Sequence, residues 1–259
     1  MVRVSGHFGE LMQGRIGPSG PVALVTLPCP VLWAEVRVAP SKGFSVCQPS
    51  RVVAPARVHR LIGALGLRAR GKFHLSLNMP AGGGAGASTV ALMAHAAAAV
   101  EPLTIIQAVL AEEGASDPLL FAAPERVLWA SRRGRVLADL PALPRFEVLG
   151  GFFSPGQRTD PGDHDFPDIS DLLAEWPGAD LATMARLTSH SARRTLASRG
   201  PQGDPIEALA RHHNALGFTI AHTGAARGLI FPPGSVPKAA AADLRAQGFS
   251  RITQFRCGG

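Results

Sequence analysis

Pro80-Ala-Gly-Gly-Gly84-Ala-Gly86-Ala-Ser88-Thr89 is the stretch on which the reading of this chain turns. Just before it, residues 72–79 place Phe73, Leu75, Leu77 and Met79 on alternate positions, the period of a half-buried strand. Just after it, residues 90–100 are rich in alanine and favour a helix. Strand, glycine loop and helix in that order bring backbone N–H groups and the positive end of a helix to one point, where a phosphate can sit. Gly82, Gly83, Gly84 and Gly86 keep side chains out of the way, although a plain flexible turn is the alternative in a chain with 29 glycines. A hydroxyl at Ser88 or Thr89 suits Mg²⁺ beside phosphates and equally suits a helix N-cap. No lysine precedes Ser88, so this is not a Walker A loop, and the H-R-D and D-F-G elements of protein kinases do not occur.

Outward from the loop, short β-type runs are expected at 22–27, 31–38 and 44–47, and Val58, Leu61, Ile62 and Leu65 recur at helical spacing. Beyond the loop the pattern predicts a helix over 105–113 that stops at Gly114, then strands at 127–130 and 146–153. Pro141 and Pro144 mark a boundary, giving a nucleotide-binding half at 1–143 and a second half at 144–259. A polar loop at 154–167 leads to helices over 169–176, 179–197 and 206–216, and a strand at 218–222 runs into a turn at 223–228. An apolar run at 229–231, a helix over 236–247 and a strand at 249–255 complete the pattern.

Composition sets the class. Of 259 residues 46% are hydrophobic and 17% charged, which fits a globular protein and excludes a disordered one. The formal net charge is +7, yet only Lys42, Lys72 and Lys238 are lysines; the scattered arginines, densest at Arg132, Arg133 and Arg135, fit an anionic small substrate as well as a nucleic acid. The expected partner is a small molecule, neither nucleic acid nor membrane. Cys29, Cys47 and Cys257 have no metal or disulfide spacing, and residues 90–100 are about half a membrane span. A cytoplasmic protein is expected.

Two further segments add to the loop: Gly6-His-Phe-Gly9-Glu10-Leu-Met-Gln13-Gly14 and Ala221-His222-Thr223-Gly224-Ala-Ala-Arg-Gly228-Leu229. With the loop, in this order, they resemble the GHMP kinase superfamily, whose signature P-x-x-x-G-L-G-S-S is read here with Ala85 for the leucine and Ala87 for the first serine. The wording of the first and last segments is similar to the L-threonine kinase branch that serves cobalamin synthesis and salvage. The resemblance implies a two-domain α+β fold, with an N-terminal half like domain 2 of ribosomal protein S5 and a ferredoxin-like C-terminal half. It implies ATP and Mg²⁺ as cofactors, ATP held by Pro80, Gly82, Gly83, Gly84, Ala85, Gly86, Ala87, Ser88 and Thr89, and phosphorylation of L-threonine to its O-3-phosphate. Homoserine or another small alcohol is the rival substrate, and a non-catalytic nucleic-acid-binding or regulatory module on the same fold is the rival class.

The branch also carries a glutamate shortly before an aspartate that precedes a phenylalanine, and Glu113, Asp117 and Phe121 fit, with a spacing one residue longer. By resemblance Asp117 is the catalytic carboxylate, acting as a base or by orienting the acceptor hydroxyl, and Ser88 and Glu113 hold the metal, with Glu112 as the rival. Glu10 is placed to pair with a substrate ammonium. His7 and Gln13 are weaker substrate candidates, His7 having a structural role as its alternative, and His222, Thr223 and Gly224 are expected to shape the floor of the site. Asp163-His164-Asp165 and His212-His213 lack convincing metal-ligand spacing, since neighbours at i, i+1 point to different helix faces.

Overall fold

A hairpin of two long strands, β1 (Val2–Arg15) and β2 (Val22–Ala39), occupies the middle of a sheet in this computed structural model, ten-stranded among the described residues. The structure describes residues 1–96, 100–153, 160, 162–222 and 224–259. From Gly6 to Gly14 every residue of β1 is buried, because α2 (Ala87–Ala96) and α5 (Leu181–Arg199) both pack against it. A strand covered in this way shows no alternation of apolar and polar residues.

The two runs expected at 22–27 and 31–38 are one strand. Trp33 faces Ser5 while Cys29 faces Gly6, so residues 30–32 have no partner on β1. The irregularity absorbs Pro30, which has no N–H to give to a ladder. Beyond β2 lie β4 (Gly71–Leu77), antiparallel to it, and then β3 (Phe44–Cys47), parallel to β4. The start of β2 also pairs with β5 (Val127–Ala130), which forms a hairpin with β6 (Arg135–Asp139), a strand the sequence pattern did not announce.

On the other side of β1 the order is β8 (Gly217–Ile220), β9 (Ala226–Phe231), β7 (Phe146–Phe152) and β10 (Ser250–Cys257). Strands β1–β6 thus precede residue 144 and β7–β10 follow it, and the two sets join where Glu10 faces Ile220. The turn expected at 223–228 is shorter than that, because Ala226, Arg227 and Gly228 already belong to β9.

Helices α1 (Pro55–Ala64), α2 and α3 (Pro102–Glu113) pack on one another. Pro55 and Pro102 each occupy a first-turn position, where the missing N–H costs nothing, and Gly114 closes α3 in the left-handed region at φ 71°. Helix α2 buries almost every described side chain, so it is apolar all round rather than amphipathic. After β7 come α4 (Ser170–Glu175), α5, α6 (Ile206–His212) and α7 (Ala240–Ala246). The last two are shorter than their apolar patterns suggested. His213 caps α6 and the chain turns at Asn214 with φ 51°, while Pro237 holds the start of α7 back.

Phe8, fully buried on β1, packs edge-on against Phe152 of β7 and Phe255 of β10 at ring-centroid distances of 5.5 and 5.6 Å. It therefore ties the first strand to the last. Phe8→Ala is expected to lower stability by about 3–5 kcal/mol, measured by urea denaturation; a loss under about 1 kcal/mol would show that the strands do not depend on this contact.

Candidate active site

The glycine loop lies between β4 and α2, and its backbone is held on two sides. His7 N–H of β1 donates to Ala85 O at 3.3 Å, and Ala226 N–H of β9 donates to Gly83 O at 2.9 Å. Gly84 and Gly86 both sit at φ 72°. A Cβ on Gly84 would run into Ala221 and would lie 2.8 Å from Gly224 Cα, and one on Gly86 would lie 2.8 Å from His7 Cδ2. Left-handed conformation and close approach together leave glycine as the fitting residue at both positions.

This loop forms one wall of a cleft of about 240 Å³. Gly82, Gly84, Gly86, Ala87, Ser88 and Thr89 line it, facing Glu113, Asp117, Arg132, His7, Glu10 and His222. Ser88 Oγ and Thr89 Oγ1 both donate to the Glu113 carboxylate, Thr89 at 2.7 Å, and Arg57 Nη2 lies 3.3 Å from Glu113 Oε1. Hydroxyl and carboxylate oxygens of this kind form a donor set that suits a hard cation such as Mg²⁺. Glu112, by contrast, turns to Arg60, 2.7 Å away.

Across the cleft, His7 stands between two carboxylates, Nδ1 3.3 Å from Glu10 Oε1 and Nε2 3.8 Å from Asp117 Oδ2. Burial first, and the Asp117 charge second, push the Glu10 carboxyl well above the usual carboxylate range. His222 Nδ1 lies 3.0 Å from Gln13 Oε1, and Gln13 Nε2 donates to Ile220 O at 3.1 Å. Phe166 stacks on the His222 ring at 4.1 Å, and the Arg199 guanidinium covers Phe166 at 3.8 Å. Burial, followed by the charges of Arg132 and Arg199, pushes His222 well below its ordinary value, so it is neutral.

No family model and no curated protein matches the sequence. Solved structures do match along its whole length. Phosphomevalonate kinase of Streptococcus pneumoniae is similar with a TM-score of 0.66 and 9% identity, covering 100% of this chain and 98% of that one. Mevalonate kinase of Methanococcus jannaschii gives 0.61 and 9%, covering 99% and 97%, and homoserine kinase of Cytophaga hutchinsonii gives 0.54 and 13%, covering 100% and 94%. The chain has the GHMP kinase fold.

Within the GHMP kinase fold, the three segments singled out in the sequence meet at one place. His7 and Glu10 of the first, the glycine loop of the second and His222 of the third all border the cleft. Pro80, Gly83 and Ala85 lie behind the cleft wall, and Gly224 packs on Gly84. Gln13 is 1% exposed and reaches the cleft only through His222. Thr223 lies outside the described residues, as do 154–159 and 161 of the loop expected at 154–167. His212 and His213 do not part to different faces: the helix ends between them, and their Nε2 atoms come within 3.8 and 3.2 Å of Asp243 Oδ2. No described helix is long and apolar enough to cross a membrane.

Sequence reasoning missed three contributors. Arg57 and Arg132 line the cleft, and Arg227 holds the third segment from beneath. Arg227 Nε donates to Asp204 at 2.7 Å, both side chains 4% exposed, and Nη1 donates to Gly224 O and Ala226 O. Only the arginine in the glycine-bounded third segment hinted at this.

The elevated Glu10 value has a consequence for stability. The folded state keeps this proton to a higher pH than the unfolded chain does, so Glu10 costs stability as pH rises from the ordinary carboxylate range through its own raised value. Glu10→Gln is expected to match the parent near pH 4 and to have a higher urea midpoint at pH 8. A lower midpoint at pH 8 would show that the Glu10 carboxylate is stabilised in the fold.

Proposed function

We propose that this chain is an ATP- and Mg²⁺-dependent kinase that phosphorylates the side-chain hydroxyl of L-threonine, giving L-threonine O-3-phosphate for the aminopropanol linker of cobalamin. One observation carries the kinase part: a glycine loop leading into a helix, two hydroxyls on an acidic partner, and a second carboxylate all face one cleft. Structures of the same fold bear the names of mevalonate kinase and homoserine kinase, which supports the same reading. The threonine part is supported by the wording of the first and third segments and by Glu10, an acidic side chain on the cleft wall whose chemistry complements an ammonium group.

In this reading the backbone N–H groups around Gly84 and Gly86 take the phosphates, and Ser88 and Glu113 hold the metal. Bound Mg²⁺ neutralises phosphate charge and so favours departure of the leaving group. The threonine hydroxyl oxygen bonds to the γ-phosphorus as the bond to the β–γ bridging oxygen breaks, and the hydroxyl proton passes to Asp117. Asp117 orients that hydroxyl throughout, and Glu10 fixes the other end of the substrate. Residues 1–143 supply the nucleotide site and residues 144–259 supply His222 and the layer beneath it.

ADP release in the presence of ATP and Mg²⁺ tests both parts. L-threonine should stimulate it at least about tenfold more than L-homoserine or L-serine, because a displaced hydroxyl misses the aligned phosphate. A panel in which homoserine or a non-amino-acid alcohol is preferred would sink threonine, and no stimulation by any alcohol would sink the kinase. Asp117→Asn should lower turnover by about two to four orders of magnitude while leaving the KM for ATP within about twofold. Glu113→Gln should weaken Mg²⁺-dependent nucleotide use and Glu112→Gln should not; equal effects would remove Glu113 as the metal ligand.

A further inference from the structure

Among the described residues, four buried polar atoms on the cleft wall have no hydrogen-bond partner: Glu10 Oε2, Ser116 Oγ, Arg132 Nε and His222 Nε2. A buried polar group without a partner is costly, and several on one cavity wall outline what the cavity is made to hold. Their chemistry divides by sign. Arg132 Nε is an orphaned cationic donor. Glu10 Oε2 and His222 Nε2 are orphaned acceptors, since Gln13 uses its N–H₂ on Ile220 O and so offers His222 Nδ1 an oxygen, which fixes the ring proton on Nδ1 and leaves Nε2 bare.

The arginines of the cleft also divide. Arg57 pairs with Glu113, beside Ser88 and Thr89. Arg132, on the turn between β5 and β6, lines the cleft with Asp117, and of the charges acting on its buried guanidinium that of Asp117 is the largest, ahead of Asp163 and Asp160. One N–H of each Nη is engaged, Nη1 on Ser131 Oγ at 3.4 Å and Nη2 on Asp160 O at 3.3 Å. Its Nε remains for a ligand on the Asp117 side of the cleft, where the acceptor substrate of the proposed reaction lies.

We propose that Arg132 binds the carboxylate of the acceptor substrate, and that His222 Nε2 and Glu10 Oε2 take its ammonium, so that the pocket selects an α-amino acid by both charged ends. The inference rests on the kinase reading for the place of the hydroxyl and not for the charges. An arginine fits a carboxylate through charge-assisted hydrogen bonds, and a lysine at the same point keeps charge without the planar donor edge.

The test titrates L-threonine and 1-amino-2-propanol, which is threonine without its carboxylate, into the parent, Arg132→Met and Arg132→Lys proteins by calorimetry, with ADP release measured in parallel. Parent protein should bind threonine at least about thirtyfold more tightly than aminopropanol. Arg132→Met should lose that preference and leave aminopropanol unchanged, and Arg132→Lys should restore part of it. The KM for ATP should stay within about twofold in all three, and a thermal melt confirms that each variant is folded. Equal losses for both ligands, or a raised KM for ATP with threonine binding intact, would overturn the proposal, the second by making Arg132 a phosphate ligand. If no alcohol stimulates ADP release yet threonine binds in an Arg132-dependent way, the kinase reading fails and this one stands. If the parent binds neither threonine nor another α-amino acid, this one fails.

Discussion

Gly84 and Gly224 touch backbone to backbone, with no space for a β-carbon on either. Much of the cleft depends on that contact. Ala226 N–H donating to Gly83 O closes it from one side, and the buried Arg227–Asp204 pair holds the Gly224 carbonyl from beneath. Through it the turn that carries His222 and the loop that leads into α2 are fixed against each other, although 140 residues of chain separate Gly84 from Gly224. On the opposite side β1 lies against the loop through His7 N–H and Ala85 O, so that three distant segments share one small volume. Backbones can meet this closely only where glycine allows it.

The same closeness sets the electrostatics. Glu10 is buried beside Asp117, and burial together with the charges of Arg132 and Arg199 disfavours the charged form of His222. Such an arrangement costs the ligand-free fold some stability and concentrates unpaired donors and acceptors on one wall, which is the signature of a site shaped for a charged ligand. The Phe166 ring on His222, itself covered by Arg199, screens that histidine from water and keeps its lone pair available.

The glycine loop, its flanking strand and helix, and the order of the three segments were legible in the sequence, because glycine spacing and apolar period are local signals. Strand β1 was not, since burial on both faces removes the alternation that marks a strand, and what stood out there was Gly6, Gly9 and Gly14. β6 was missed because Arg135, Val136, Ala138 and Asp139 are exposed and carry no apolar stripe. Glu112 and Glu113 could not be told apart by type; α3 turns one to Arg60 and the other to Ser88. Arg132 looked like one of three neighbouring arginines, and only the turn after β5 sends it inward while Arg133 stays exposed.

The central claim is that the glycine loop cradles the phosphates of ATP, and a calorimetric titration of Mg²⁺-ATP into the parent protein and Gly86→Val tests it most directly. The parent should show one saturable site. Gly86→Val, whose new side chain would press on His7 and Leu119 from a left-handed backbone position, should lose ATP affinity by at least about tenfold while circular dichroism shows the fold retained. A folded Gly86→Val protein that binds ATP as tightly as the parent would contradict the account.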